Sequence, residues 1–172
     1  QFESTAVSID SVKFFLVPTQ KFPHPPPVGL DHYKCYKIMQ QQWLQKKPVM
    51  TDQFVPAEGA DSVRRELFCT PCQKNEEPMF DTVTHYVAYL IAPGQPLIPP
   101  FIVQALDQFS LPGSWVDTVL GSKYLLVPTL KNLPPPPPDT GKNHYKTWRL
   151  QPVPFTALPQ VKDQFMTDMF PV

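Results

Sequence analysis

Three cysteines are the residues of this chain whose spacing most directly suggests chemistry. Residues 69–72 are Cys-Thr-Pro-Cys, which has the cysteine spacing of thioredoxin-type redox centres. Cys35 lies far from both of these cysteines in the sequence. Redox catalysis at such a motif requires a helix whose N-terminus lowers the thiol pKa. Only a short polar segment separates Cys72 from Pro78, so we expect no helix there and no redox catalysis.

Three histidines, His32, His85 and His144, are each followed by a tyrosine. Three imidazoles brought together by a threefold fold could bind a metal ion such as zinc, and these residues are the candidates for it. Repetition of the sequence explains the same spacing without a metal, because each histidine begins a predicted strand beside polar residues. Hydrogen bonding at strand ends is therefore the favoured role, and no metal site is predicted.

Three Asp-Gln-Phe tripeptides also recur, at residues 52–54, 107–109 and 163–165. Paired carboxylates can carry out acid–base chemistry such as glycoside hydrolysis, but Asp is also a common cap of turns and strand ends. Their regular recurrence favours capping by Asp52, Asp107 and Asp163 over catalysis.

Neither motifs nor charge point to a reaction. The chain contains no Gly-rich phosphate loop, no G-x-S-x-G elbow and no H-E-x-x-H motif. Its 15 basic and 15 acidic residues balance, so charge indicates neither nucleic acid nor an anionic membrane as a partner. No apolar run approaches the ~18 residues of a membrane span. The sequence predicts a protein without enzymatic activity, cofactor, nucleic-acid partner or membrane span.

These residues belong to a repeat of about 55 residues. An opening segment that starts with His-Tyr leads to Asp-Gln-Phe, and a closing segment ending in Pro-x-x-Lys follows. Such self-similarity is typical of a supersecondary unit that buries its apolar face against its own copies. The opening segments are residues 32–38, 85–91 and 144–150, and the closing segments are residues 15–21, 68–74 and 125–131.

The opening segments are rich in aromatic and β-branched residues and are predicted to be strands. Alternation places one set of large side chains on a common face, which we expect to be buried. The apolar runs 14–17 and 124–127 do not alternate, which predicts central strands covered on both sides. The set on the common face is Tyr36, Ile38, Tyr89, Ile91, Trp148 and Leu150.

An all-β fold follows, since 24 prolines argue against long helices. We expect a single domain over residues 1–172, with about three strands in each of three repeats. The arrangement is either pseudo-threefold, like a β-trefoil or β-prism, or an open repeat array. The units cover about 32–84, 85–143 and 144–172, the last completed by residues 1–31 of the same or a neighbouring chain.

The cysteine positions within the repeat predict a disulfide between Cys35 and Cys69. Both are present in one unit, whereas the next complete unit has Ala88 and Leu126 instead. Joint presence and joint absence are expected of a pair on adjacent strands. The bond would close about 35 residues and stabilise the fold by roughly 3–4 kcal/mol. Buried thiols are the alternative, and Cys72 is left either buried or available to another chain.

The unit from His32 to Lys74 resembles a family of uncharacterised bacterial tandem-repeat proteins. Their pattern is roughly H-x-x-C-Y-K, D-Q-F and L-C-x-P-x-x-K, and here His-Tyr-Lys-Cys-Tyr-Lys, Asp-Gln-Phe and Leu-Phe-Cys-Thr-Pro-Cys-Gln-Lys correspond. Chains of that family look secreted, so the resemblance implies an extracellular or cell-surface location and a repeat fold. It implies no activity. The glutamine at position 1 is also typical of a chain after signal-peptide removal.

We therefore expect an extracellular structural protein that self-associates into a filament or surface layer, with exchange of the terminal strand as one route. The assembly residues would be Phe14, Phe15, Leu16, Val17, Asp163, Gln164 and Phe165.

The alternative is a lectin-like module that binds cell-surface glycans at repeated shallow sites. Its candidate aromatic residues are Trp43, Trp115 and Tyr145. The two tryptophans do not occupy equivalent repeat positions, which counts against repeated sugar sites.

Overall fold

The strands predicted from the repeats are present, and the described residues contain no helix. A computed structural model describes residues 6–110, 112–129, 131, 142–151, 160–165 and 167–169. The strands are β1 (Ile9–Leu16), β2 (Gln20–Lys21), β3 (His32–Ile38), β4 (Trp43–Leu44), β5 (Val49–Met50), β6 (Glu58–Gly59), β7 (Ser62–Lys74), β8 (His85–Ala92), β9 (Pro96–Leu106), β10 (Trp115–Thr129), β11 (Tyr145–Leu150), β12 (Gln160–Lys162) and β13 (Thr167–Met169).

The principal sheet alternates closing strands with opening strands. Its path is β1-β3-β7-β8-β10-β9-β2, and β11 also pairs with β10. All of these pairings are antiparallel, and β8 and β9 pair with successive stretches of β10. The closing strands β1, β7 and β10 each lie beside the opening strand that follows them in the chain, namely β3, β8 and β11.

All three of these hairpins share one register. The residue two positions before the closing proline lies opposite the tyrosine of the next opening strand. A common register means that equivalent residues meet equivalent neighbours along the sheet. The pairs are Leu16 with Tyr33, Cys69 with Tyr86, and Leu126 with Tyr145.

The N-terminal segment lies at both ends of the sheet path. Strand β1 pairs with β3, whereas β2, which follows shortly after it, pairs with β9. Phe14 of β1 also meets Tyr124 of β10 edge to face, with ring centroids 6.3 Å apart. Three strands separate β1 from β10 along the path, so the sheet curls strongly to bring them together.

Both faces of the central strands are buried. Val87, Tyr89 and Ile91 of β8 belong to one apolar cluster, and Tyr86 and Ala88 of the same strand belong to another. Side chains alternate between the faces of a strand, so the two clusters lie on opposite faces of the sheet. The predicted burial of Tyr36, Ile38, Tyr89 and Ile91 agrees with exposures of 1%, 0%, 4% and 4%.

The prediction of a central strand holds for residues 124–127 but not for residues 14–17. Strand β1 pairs with β3 on one edge, no described strand pairs with its other edge, and Phe14 is 40% exposed. The predicted burial of Trp148 and Leu150 is wrong, since Trp148 is half-buried and Leu150 is 37% exposed. Both lie on β11, which pairs only with β10 among the described strands. An apolar run in the sequence does not reveal whether a second neighbouring strand exists.

Candidate functional site

Each Asp-Gln-Phe tripeptide forms a turn that its own aspartate caps. The Oδ1 atom accepts a hydrogen bond from the backbone N–H of the phenylalanine two residues later, at 2.9 Å for Asp52, 2.8 Å for Asp107 and 2.8 Å for Asp163. This is the side-chain to backbone hydrogen bond of an Asx turn. The aspartates therefore fix the local backbone of these turns.

The second oxygen of each aspartate accepts a hydrogen bond from an aromatic ring on another element. Two of the rings, Tyr36 and Trp148, occupy the same position in their opening strands, and the third, Trp115, begins β10. Each turn is thus attached to the sheet by its Oδ2 atom. The pairs are Asp52 with Trp148 at 2.9 Å, Asp107 with Trp115 at 3.2 Å and Asp163 with Tyr36 at 2.6 Å.

The phenylalanine of each turn lies beneath the lysine that ends the preceding closing segment. Such cation–π contacts stabilise by about 0.5–1 kcal/mol at exposed sites. They connect each turn to the repeat before it in the chain. The distances from Nζ to the ring centroid are 5.4 Å for Lys21 and Phe54, 5.8 Å for Lys74 and Phe109, and 5.0 Å for Lys131 and Phe165.

Two of the candidate metal-binding histidines accept hydrogen bonds from these turns instead. Gln164 Nε2 lies 3.0 Å from His85 Nε2, and Gln108 contacts His32 in the same way. His85 Nδ1 lies 2.7 Å from the Val83 carbonyl oxygen, so the ring proton is on Nδ1 and Nε2 accepts from Gln164.

Burial lowers the pKa of both His32 and His85, which keeps the imidazoles neutral. His144 is exposed. Within the described part of the chain, no group of three or more His, Cys, Asp or Glu side chains is arranged to hold a metal ion.

Lys146, the third residue of the last opening segment, belongs to a buried charged cluster. Lys146 Nζ lies 3.0 Å from Asp52 Oδ2 and 2.7 Å from Glu58 Oε2, and its side chain is 4% exposed. The other oxygen of Glu58 accepts a hydrogen bond from Ser122 Oγ. The Trp148 ring centroid is 4.3 Å from Lys146 Nζ. We call Asp52, Glu58, Lys146 and Trp148 the Lys146 cluster.

Burial and hydrogen bonding oppose each other at Asp52. Burial raises the pKa of its carboxyl group, but hydrogen bonds from the Val55 N–H, from Lys146 and from the Phe54 N–H together hold that pKa below its ordinary value. The first opening strand has a related pair, in which Lys34 Nζ lies 3.8 Å from Asp163 Oδ2.

The predicted disulfide between Cys35 and Cys69 is confirmed. The sulfur atoms are 2.04 Å apart, and the two residues are directly opposed on β3 and β7. Cys72 is a free, buried cysteine. Burial raises the pKa of its thiol to about 12, and the negative charge of Asp163 acts in the same direction. Since Cys69 is already bonded to Cys35 and Cys72 is not a thiolate, Cys-Thr-Pro-Cys is not arranged as a redox centre.

The three candidate glycan-binding aromatics lie in different surroundings. Trp43 is 43% exposed and lies beneath the Arg64 guanidinium at 5.2 Å. Trp115 donates to Asp107, and Tyr145, 38% exposed, packs edge to face on Tyr86. No common surface for a sugar follows from these environments.

The predicted assembly residues fall into two groups. Asp163, Gln164 and Phe165 contact other strands of their own chain. Phe15 stacks on His32 at 5.5 Å, while Phe14 is 40% exposed and lies beneath Lys123. Leu16 and Val17 are half-buried at the end of β1. Of the two groups, the N-terminal one, residues 14–17, is the group that lies at an edge of the sheet.

A curled antiparallel sheet whose hairpins share one register, with equivalent turns attached to it, defines a tandem-repeat β protein. The chain belongs to DUF7450, a repeat family of unknown function whose model matches residues 1–113. No curated protein and no solved structure matches the chain. The described residues include no helix that is long and apolar enough to cross a membrane.

Proposed function

We propose that this protein is a non-enzymatic, extracellular structural protein whose three repeats of about 55 residues form an open array that continues from chain to chain. The observation that supports this most is the order of strands. Among the described strands, none pairs with the outer edge of the closing strand β1 or of the opening strand β11. A sheet edge without a partner strand can recruit strands from other chains.

The interior of the sheet supplies a template for the contact. Opening strands pair with the next closing strand in one register, in which Tyr33 lies opposite Pro71 and Tyr86 lies opposite Pro128. The same register between β11 of one copy and β1 of a second copy places Tyr145 opposite Pro18. Such a contact joins two different surfaces, so it does not close on itself and propagates as a filament.

An extracellular location is part of the proposal. The Cys35–Cys69 bond supports it, because disulfides persist in oxidising compartments and are rare in the cytosol. Equal numbers of acidic and basic residues also favour self-association, because a strongly charged chain would repel its own copies.

The native disulfide suggests the test. In the proposed register Thr147 lies opposite Leu16 of the next copy, and these positions are equivalent to Cys35 and Cys69 in the repeat. Chains with Leu16→Cys mixed with chains with Thr147→Cys should give covalent dimers on a non-reducing gel. The Leu16→Cys/Thr147→Cys double variant should give a ladder of covalent oligomers. A double variant crosslinked only within single chains would contradict exchange between copies.

A matched control uses the neighbouring position. Val17→Cys combined with Thr147→Cys should crosslink far less, because successive side chains of a strand point to opposite faces. Ala88→Cys/Leu126→Cys, which joins two directly opposed residues, is the positive control within one chain. Equal crosslinking at positions 16 and 17 would refute the register. Discrete particles that bind a glycan array would favour the lectin instead.

A further inference from the structure

The Lys146 cluster contains more than an ion pair. One ammonium group lies within hydrogen-bonding distance of two carboxylates, at 3.0 Å from Asp52 and 2.7 Å from Glu58. The side chains of Lys146, Glu58 and Asp52 are 4%, 0% and 19% exposed. Burying two negative charges with one positive charge is costly. An amide between Lys146 and Asp52 would remove one charge of each sign from this site.

The two oxygens of Asp52 are placed for different roles. Oδ1 accepts hydrogen bonds from the backbone N–H groups of Phe54 and Val55, at 2.9 Å and 2.8 Å. Two fixed N–H donors on one oxygen would stabilise negative charge that develops there, as an oxyanion hole does. Oδ2 faces Lys146 and accepts from the Trp148 indole N–H at 2.9 Å. Oδ1 is thus the oxygen to be retained, and Oδ2 is the oxygen that can leave.

We propose that Lys146 and Asp52 condense into an intramolecular amide, an isopeptide bond, with Glu58 carrying the proton. Glu58 takes one proton from the ammonium group and passes it to Oδ2 of Asp52, and the freed lone pair of Nζ then attacks Cγ of the neutral carboxylic acid. The Nζ–Cγ bond forms, and negative charge collects on Oδ1. A second proton from Nζ is carried by Glu58 to Oδ2, the Cγ–Oδ2 bond breaks, and one water leaves. No oxidant, reductant or cofactor is needed, and Glu58 ends unchanged.

The arrangement favours this reaction through proximity. The amine and the carboxyl group are held in contact, which gives intramolecular reactions high effective concentrations. We expect the bond to form after folding, because only the folded chain brings Lys146 and Asp52 together. The bond would join the turn of the first repeat to the last opening strand. It needs no second copy of the chain, so it is independent of the proposed assembly.

The other turns serve as internal comparisons. Lys34 is 3.8 Å from Asp163, beyond hydrogen-bonding distance, whereas Lys146 is 3.0 Å from Asp52. We therefore expect a single crosslink, at Lys146 and Asp52.

Intact mass spectrometry of the reduced, denatured chain tests the proposal. The aged wild-type protein should be lighter than its sequence mass by one water, and a protease digest should contain a branched peptide that joins Asp52 to Lys146. Lys146→Arg and Glu58→Gln should keep the full mass, and Asp52→Asn should lose ammonia instead of water. A wild-type chain of full sequence mass, or a water loss mapped to other residues, would overturn the proposal.

Discussion

The aspartates of the three turns show how one residue type organises this molecule. Each uses one oxygen to cap its own turn and the other to hold an aromatic donor from the sheet, as Asp163 does with Tyr36 at 2.6 Å. The capping role follows from the recurrence of Asp-Gln-Phe in the sequence. The aromatic partner does not, because Trp115, which bonds Asp107, lies in a different part of the repeat from Tyr36 and Trp148.

The buried histidines predict a loss of stability in acid. Burial lowers the pKa of His85 in the folded chain, while the unfolded imidazole keeps a value of about 6.5. Between the folded and the unfolded pKa, the unfolded state therefore binds more protons than the folded state. The contribution of neutral His85 to the free energy of unfolding is complete above the unfolded pKa and is lost as the pH falls through the folded pKa. Urea denaturation from neutral pH to about pH 5 should show this trend in wild type.

Replacing His85 with asparagine should flatten that pH dependence. His32 contributes a similar dependence, so the double variant at 32 and 85 should be flatter still. A His85→Asn slope identical to that of wild type would contradict the account.

The disulfide between Cys35 and Cys69 is a second pair of residues whose effect on stability can be measured. Replacing both Cys35 and Cys69 with alanine should lower the free energy of unfolding by roughly 3–4 kcal/mol, since the bond spans a sequence separation of 34 residues. Denaturant titration measures this loss. In the native wild type, Cys72 should resist alkylation because it is buried. Alkylation of Cys35 without reductant would show that the bond is absent.

At the scale of elements, the positions of the strands can be predicted from the sequence more reliably than the strands and side chains that cover them. Tyr89 and Ile91 were expected on one buried face, and they lie there because β8 is central. Ala88 is as buried as they are, since a second apolar cluster covers the opposite face. Residues 14–17 carry the same continuous apolar signal as the central residues 124–127 but lie at an edge, because no described strand pairs with the other side of β1.

The central strand supplies the test at this scale. Tyr89→Ala should lower the free energy of unfolding by about 3–5 kcal/mol, because it removes a large buried side chain from the core. Tyr145→Ala, at a partly exposed position of β11, should cost clearly less. A loss below about 1 kcal/mol for Tyr89→Ala would mean that this face is not packed as described.

At the scale of the whole molecule, the repeats explain the order of the strands but not the attachments between distant turns. Among the described strands β11 pairs only with β10. Glu58 lies in no repeated motif, so its meeting with Lys146 could not be predicted. The lysine at the third position of two opening segments, Lys34 and Lys146, was the available signal for buried ion pairs.

Growth of the sheet from β11 of one chain to β1 of the next is the central claim. Sedimentation velocity of the unmodified chain over a range of concentrations, with negative-stain microscopy of the same samples, tests it most directly. We predict an open-ended series of oligomers that grows with concentration and appears as filaments of uniform width. A single monomeric species at every concentration, with no filaments, would contradict the claim.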